Sequence, residues 1–230
     1  MQPAGPVLER LLAELRQPLQ TLVSLADLLD LKMAALDGSV RQQTDGFRDT
    51  VRQVDWLVAE AAFHVSRPAF QPEVMNLRTL VEGCVTRLSR QTRSSLGLEE
   101  VTGQSCMLYG DAMLLERFVA NAVRLADQLG EPGRRISMRL GQEPLHGFPA
   151  LYLDLEASIP HVHAGDFTAG ELRDEAGPLR GFSFVLENCR WILEAHHAAV
   201  EFADLPGPLL RLRVFFPLLS PEQAGALGRA

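Results

Sequence analysis

The imidazoles and thiols of this sequence, six histidines and three cysteines, are scattered. His161 and His163 alternate, with Asp166 close behind, on a polar stretch. Two imidazoles at that spacing can face one ion, but no cysteine or further histidine lies nearby to complete a ligand set, so no metal residue is assigned. His196 and His197 are adjacent and point in different directions on a helix, so they are no chelating pair. His64 stands at the end of a helical segment, where an imidazole caps carbonyls and is favoured by the helix dipole. Cys84, Cys106 and Cys189 are odd in number and widely spaced. They make neither a disulfide framework nor a zinc knuckle, and read as buried thiols in a reducing, cytoplasmic compartment. Lys32 is the only lysine, which removes the P-loop and Schiff-base chemistries. No catalytic residue is assigned on these grounds.

The elements that position these groups are clearer. With 230 residues, 47% hydrophobic and 22% charged, the chain has the composition of one large or two small globular domains rather than of a disordered segment. No apolar run reaches the ~18 residues a membrane helix needs, and the start lacks the pattern of a secretory signal, so no membrane insertion is expected. A net charge of −7 argues against nucleic acid as a partner.

Leu8, Leu12, Leu15, Leu19, Leu22, Ala26, Leu29, Met33 and Leu36 step 4-3-4-3, an a/d stripe that predicts one long helix. Asp37-Gly38-Ser39 breaks it, with Ser39 as a candidate N-cap. Val40, Thr44, Phe47, Val51, Val54, Val58, Ala61 and Val65 repeat the stepping in a second helix that ends before Pro68. A tight turn between the two makes an antiparallel hairpin over residues 1–66. Two such helices cannot hide full-length apolar stripes alone, so a homodimeric four-helix bundle is expected, with Leu12, Leu15, Leu19, Leu22, Leu29, Val51, Val54 and Val58 at its interface. Residues 67–76 read as a linker. Beyond it the pattern is mixed: helices over 77–90, 111–129 and 182–195; strand and turn over 97–109; strands over 135–140, 150–155, 200–202 and 209–216; a polar, glycine-rich stretch over 161–180; and a tail over 220–230. The fold class is α+β: a helical hairpin followed, over 77–219, by an α/β sandwich with helices layered on one face of a mixed sheet.

That order resembles sensor histidine kinases, which join a dimerising, histidine-bearing helical domain to an ATP-binding domain of the gyrase–Hsp90–kinase–MutL (GHKL) type. Their phospho-acceptor motif, His-Glu-Leu-Arg-Thr-Pro-Leu, corresponds to Ala13-Glu14-Leu15-Arg16-Gln17-Pro18-Leu19. Five of seven positions agree, including a mid-helix proline that costs about 3 kcal/mol. The histidine itself is Ala13, whose methyl group cannot carry phosphate. The asparagine box resembles Arg117-Phe118-Val119-Ala120-Asn121-Ala122, the first glycine box Asp154-Leu155-Glu156-Ala157-Ser158-Ile159-Pro160, and the second Gly177-Pro178-Leu179-Arg180-Gly181-Phe182-Ser183.

The resemblance implies that Asn121 would ligate Mg²⁺ and Asp154 would hydrogen-bond adenine. Arg117 replaces the box's other asparagine, Glu156 and Ser158 replace both glycines of the first box, and Leu179 replaces the middle glycine of the second. Glycines in such loops let backbone N–H groups approach phosphates, so these losses argue against tight ATP·Mg²⁺ binding and no cofactor is expected. Ala13, Glu14, Arg16, Gln17 and Gln20 make the surface that in the family docks a response-regulator receiver domain or a kinase domain. The implied function is a non-catalytic, histidine-kinase-like scaffold that binds a receiver domain or a histidine kinase in bacterial two-component signalling. Two alternatives stay open: a nucleotide-binding kinase or switch using Asn121 and Asp154, and a phosphotransferase, similar to the dimeric helical-hairpin shuttles, with His64 as substitute acceptor.

Overall fold

The computed structural model describes residues 15, 19–25, 28, 38–100, 106–168, 179 and 181–218. The chain divides into two compact units: the residues up to Ala69 together with Phe184–Asn188, and Phe70–Ser183 together with Cys189 onward.

In the first unit residues 19–25 are helical, and helix α1 spans Gly38–Val65. Helix α1 starts at Gly38, so Ser39 lies inside it rather than at its cap; the glycine ends the break one residue earlier than the expected Ser39 cap implied. The apolar stripes divide by burial. Leu19, Val51 and Ala61 are buried within the chain, whereas Leu15, Leu22, Phe47 and Val54 stay 41–48% exposed. Leu12 and Leu29 lie outside the described residues.

The second unit runs β1 (Glu73–Asn76), α2 (Leu77–Leu88), β2 (Ser95–Glu100), β3 (Met107–Gly110), α3 (Ala112–Leu129), β4 (Arg135–Leu145), β5 (Phe148–Ser158), α4 (Gly165–Thr168), α5 (Ser183–Ala195), β6 (Ala199–Asp204) and β7 (Leu209–Pro217). The first turns of α5, Phe184–Asn188, group with the helical unit and the rest with this one. Strand β1 pairs antiparallel with β3, so the end of the expected linker is strand rather than coil. The main sheet has the order β2-β4-β5-β7-β6, with β2 parallel to β4 and every other pair antiparallel. It is the mixed sheet the pattern predicts.

Local chemistry sets the boundaries. The Asn76 side chain accepts from the Arg78 and Thr79 N–H groups and starts α2. The Asp111 side chain accepts from Leu114 N–H and starts α3. Strands β4 and β5 run well past 135–140 and 150–155, because His146 and Gly147, at φ 51° and 85°, turn the chain as a tight hairpin rather than a loop. The breaker-rich stretch Gly141–Pro149 hid that continuation. One face of the sheet is apolar and buried: Ile136, Met138 and Leu140 on β4, Leu151, Leu153 and Leu155 on β5, Val214 and Phe216 on β7. Leu77, Val81, Cys84 and Leu88 on α2, and Leu114, Phe118 and Val119 on α3, are buried with them. Burial pushes the Cys84 thiol up to about 11, with Glu116 adding and Arg87 opposing, so this thiol is an inert core group.

Two glycines give opposite expectations. A Cβ at Gly130 would sit 2.7 Å from the Ala126 carbonyl oxygen and 2.9 Å from that of Ser158, both backbone atoms that cannot yield cheaply. A Cβ at Gly83, inside α2, would meet nothing within 4 Å. In urea unfolding, Gly130→Ala lowers stability by about 1–3 kcal/mol, and Gly83→Ala raises it by about 0.5–1 kcal/mol.

Candidate functional site

Strand alternation decides where the family-like residues of β5 point. Leu151, Leu153, Leu155 and Ala157 face the buried side, so Tyr152, Asp154 and Glu156 face the other. Across the sheet, Asp154 is in register with Arg139 on β4 and Arg213 on β7. Arg139 in turn is in register with Glu99 on β2, and Arg213 with Glu201 on β6. The result is a row of alternating charge across all five strands, the cross-strand arrangement that stabilises a solvated sheet face.

Within that row Arg213 grips Asp154 in a fork: Nε to Oδ1 at 2.6 Å and Nη2 to Oδ2 at 2.7 Å. The Asp154 side chain is 2% exposed, that of Arg213 17%. Arg213 also donates from Nη1 to Glu143 at 3.0 Å and lies over the Tyr152 ring, 4.7 Å from its centroid. Gly141 makes room for that ring; a Cβ there would sit 2.6 Å from it. The hydrogen bonds to Asp154 raise the Arg213 pKa above its already high ordinary value, so the guanidinium is permanently charged. Bidentate Arg–carboxylate pairs out of water are the strong members of their class. Both carboxylate oxygens of Asp154 are thereby engaged.

Asn121 is elsewhere. It is 1% exposed on α3, a helix that packs on β4 and β5. The charged face of the sheet is open to solvent at Arg139 and Glu143, so α3 covers the apolar face. Asn121 and Asp154 therefore lie on opposite sides of one sheet. The residues matching the first glycine box are not a loop either. Glu156, Ala157 and Ser158 are the last residues of β5, in register with Arg211, Leu210 and Leu209. Their backbone is spent on the sheet ladder rather than left to cradle a phosphate. Of the second box, Leu179, Gly181, Phe182 and Ser183 are described: Phe182 N–H donates to the Leu179 carbonyl at 3.1 Å, and Gly181 turns at φ 86°. Gly177, Pro178 and Arg180 lie outside the described residues. Arg124, on α3, donates to Gln91 at 3.1 Å.

His64 sits in a polar cage within the helical unit. Its Nδ1 is 3.3 Å from Asn188 Oδ1 and 3.0 Å from Arg67 Nη2, and its Nε2 is 3.5 Å from a Glu187 carboxylate oxygen. Asn188, fully buried, also donates to the backbone carbonyl and the carboxylate of the buried Glu60. A phospho-acceptor needs one ring nitrogen open to in-line attack, and here protein groups face both. His163 Nδ1 is 3.7 Å from Asp204, while Asp166 and Asp204 accept backbone N–H groups of the same turn. Among the described residues no group of three or more potential metal ligands assembles. Of the proposed docking surface, Gln20 is exposed; Ala13, Glu14, Arg16 and Gln17 lie outside the described residues.

Arg213 is the residue that sequence reasoning missed. Its signal was Arg211 and Arg213 alternating with Leu210, Leu212 and Val214, which marks one strand face as charged without saying which acid it meets.

Among the described residues no helix is long and apolar enough to cross a membrane. No sequence-family profile matches the chain, and no curated protein matches it by sequence. Solved structures do match. Full-length ShkA in complex with AMPPNP is 16% identical over 94% of this chain, with a TM-score of 0.59; this chain spans 46% of ShkA's length. The Acinetobacter baumannii histidine kinase AdeS is 13% identical over 90% of this chain and 98% of its own, with a TM-score of 0.52. The catalytic domain of the histidine kinase ThkA is 14% identical over 66% of this chain and 99% of its own, with a TM-score of 0.51. At such identities the likeness is one of architecture, and the chain has a histidine-kinase-like fold.

Proposed function

We propose that this chain is a non-catalytic, histidine-kinase-like regulatory scaffold of a bacterial two-component pathway, acting in the cytoplasm as a homodimer that binds a receiver domain or a histidine kinase. The observation that carries the reading is the lock on Asp154. A carboxylate that would bind adenine must offer an oxygen to an amino group. Both oxygens of Asp154 are bound by Arg213 and its side chain is only 2% exposed, on the side of the sheet away from Asn121. Ala13 in place of the phospho-acceptor, and β-ladder in place of the glycine loop, support the same reading.

A scaffold needs surfaces rather than a reaction centre. Leu15, Leu22, Leu25, Leu28, Phe47 and Val54 are 41–52% exposed in the single chain, an apolar set that a second helical hairpin would bury. Gln20, exposed, belongs with Ala13, Glu14, Arg16 and Gln17 to the sequence segment proposed to meet the receiver or kinase.

Titration calorimetry with ATP·Mg²⁺ gives no binding heat up to roughly millimolar nucleotide, the weak limit of useful affinity. Micromolar binding that Asn121→Ala abolishes would overturn the proposal. Light scattering gives the mass of a dimer, and Leu22→Glu with Val54→Glu gives a monomer that keeps its helical circular dichroism. A wild-type monomer rejects the bundle. Arg213→Met strands a buried carboxylate and lowers stability to urea by about 3–5 kcal/mol. Adding Asp154→Leu to that variant restores much of the loss, whereas a pair that merely decorated the surface would cost under about 1 kcal/mol to break.

A further inference from the structure

His196, at the end of α5, lies within the second unit and is 6% exposed. Its two ring nitrogens are committed in opposite senses. Nδ1 lies 2.7 Å from the Ile192 carbonyl oxygen, which can only accept, so that nitrogen carries the proton. Nε2 accepts the backbone N–H of Asp111 at 2.9 Å. Only the neutral Nδ1–H tautomer satisfies both contacts. A second proton, on Nε2, would aim one N–H at another. The ring has no room to swing away, because it lies against the backbone at Gly110: a Cβ there would sit 2.8 Å from its Cδ2.

The same contact holds the segment that leads into this unit. Asp111 Oδ1 accepts Leu114 N–H at 3.1 Å, and its Oδ2 accepts Gln71 N–H at 2.9 Å. Phe70 meets the imidazole edge-on, at 5.0 Å between centroids and 89° between planes. Phe70 and Gln71 are therefore anchored through His196 and the residue whose N–H it accepts.

We propose that His196 is an acid-sensitive lock on the Phe70–Gln71 segment: the neutral imidazole holds it down, and protonation releases it. The cheapest way to hydrate an imidazolium here is to lift off the cover that is already partly wet, and Phe70 is 39% exposed. The ionisable groups facing the ring are Asp111, at the start of α3, and His197, next in the chain; Phe70, Gly110 and Ile192 bring no charge. Asp111 favours the charged ring and His197 disfavours it, but burial outweighs both and holds the His196 pKa below its ordinary 6.5. The sign follows. The released state binds the proton more readily than the locked one, so the lock is fully engaged above 6.5 and loses stability as pH falls below it.

Amide and imidazole NMR spectra of the full chain, recorded from about pH 7.5 to about pH 5, test this. The Gln71 and Asp111 amide resonances shift together, with one midpoint below 6.5 that equals the midpoint of the His196 ring. In His196→Gln, whose side chain cannot take up a proton, that shared step disappears. A ring midpoint at or above 6.5, or amides of Gln71 and Asp111 that ignore the ring's titration, overturns the proposal. So does the same step persisting in His196→Gln. Should that variant fail to fold, the wild-type titration alone still decides.

Discussion

Strand β5 is the constraint on which the α/β unit depends. It is the middle strand of five and pairs along its length with β4 and β7. Its side chains alternate without a break, so the burial of Leu151, Leu153, Leu155 and Ala157 obliges Tyr152, Asp154 and Glu156 to face the other way. Slipping the register by one residue would drive a carboxylate into the core and turn the leucines out to water, which costs far more than any ligand contact returns. The placement of Asp154 is thus a consequence of hydrophobic burial, and its partnership with Arg213 follows from it. A carboxylate 2% exposed beside an exposed row of charge needs a cation close by, and β7 supplies one in direct register.

That arrangement also separates architecture from chemistry. The order of elements is that of a histidine-kinase-like fold, while the positions matched to nucleotide-binding boxes do other work. The segment matched to a glycine loop extends a strand. The carboxylate matched to an adenine contact neutralises an arginine. Each replacement is favourable in itself: a ladder satisfies backbone groups a loop would leave to water or ligand, and a forked ion pair satisfies charges a nucleotide would otherwise meet.

A second set of contacts ties the helices to the small sheet. Asp111 follows β3, caps α3, and holds Gln71, while its own N–H is received by His196. Gly110 is required because the imidazole lies against its backbone. One small residue and one acid, adjacent at 110 and 111, and one histidine from far along the chain make this junction. None of them is exchangeable without loss, for reasons of volume, charge and tautomer respectively.

The amino-acid sequence by itself determined the local structure: the heptad stripes of the hairpin, the helices that follow Asn76 and Gly110, and the α+β order. These depend on residues a few positions apart, where spacing converts directly into geometry. That alanine stands at position 13, where the resembled motif has histidine, was equally legible, since it depends on one side chain. The continuation of β4 and β5 through Gly141–Pro149 was not, because its local residues resemble a loop and cross-strand pairing overrides them. Nor was the fate of Asp154 and His196. Both depend on partners 59 and 85 positions away, Arg213 and Asp111, and only a closed sheet and docked helices bring those within hydrogen-bond reach. Tertiary structure alone decided that Asn121 and Asp154 face different sides, because sidedness is set by which residues the whole unit buries.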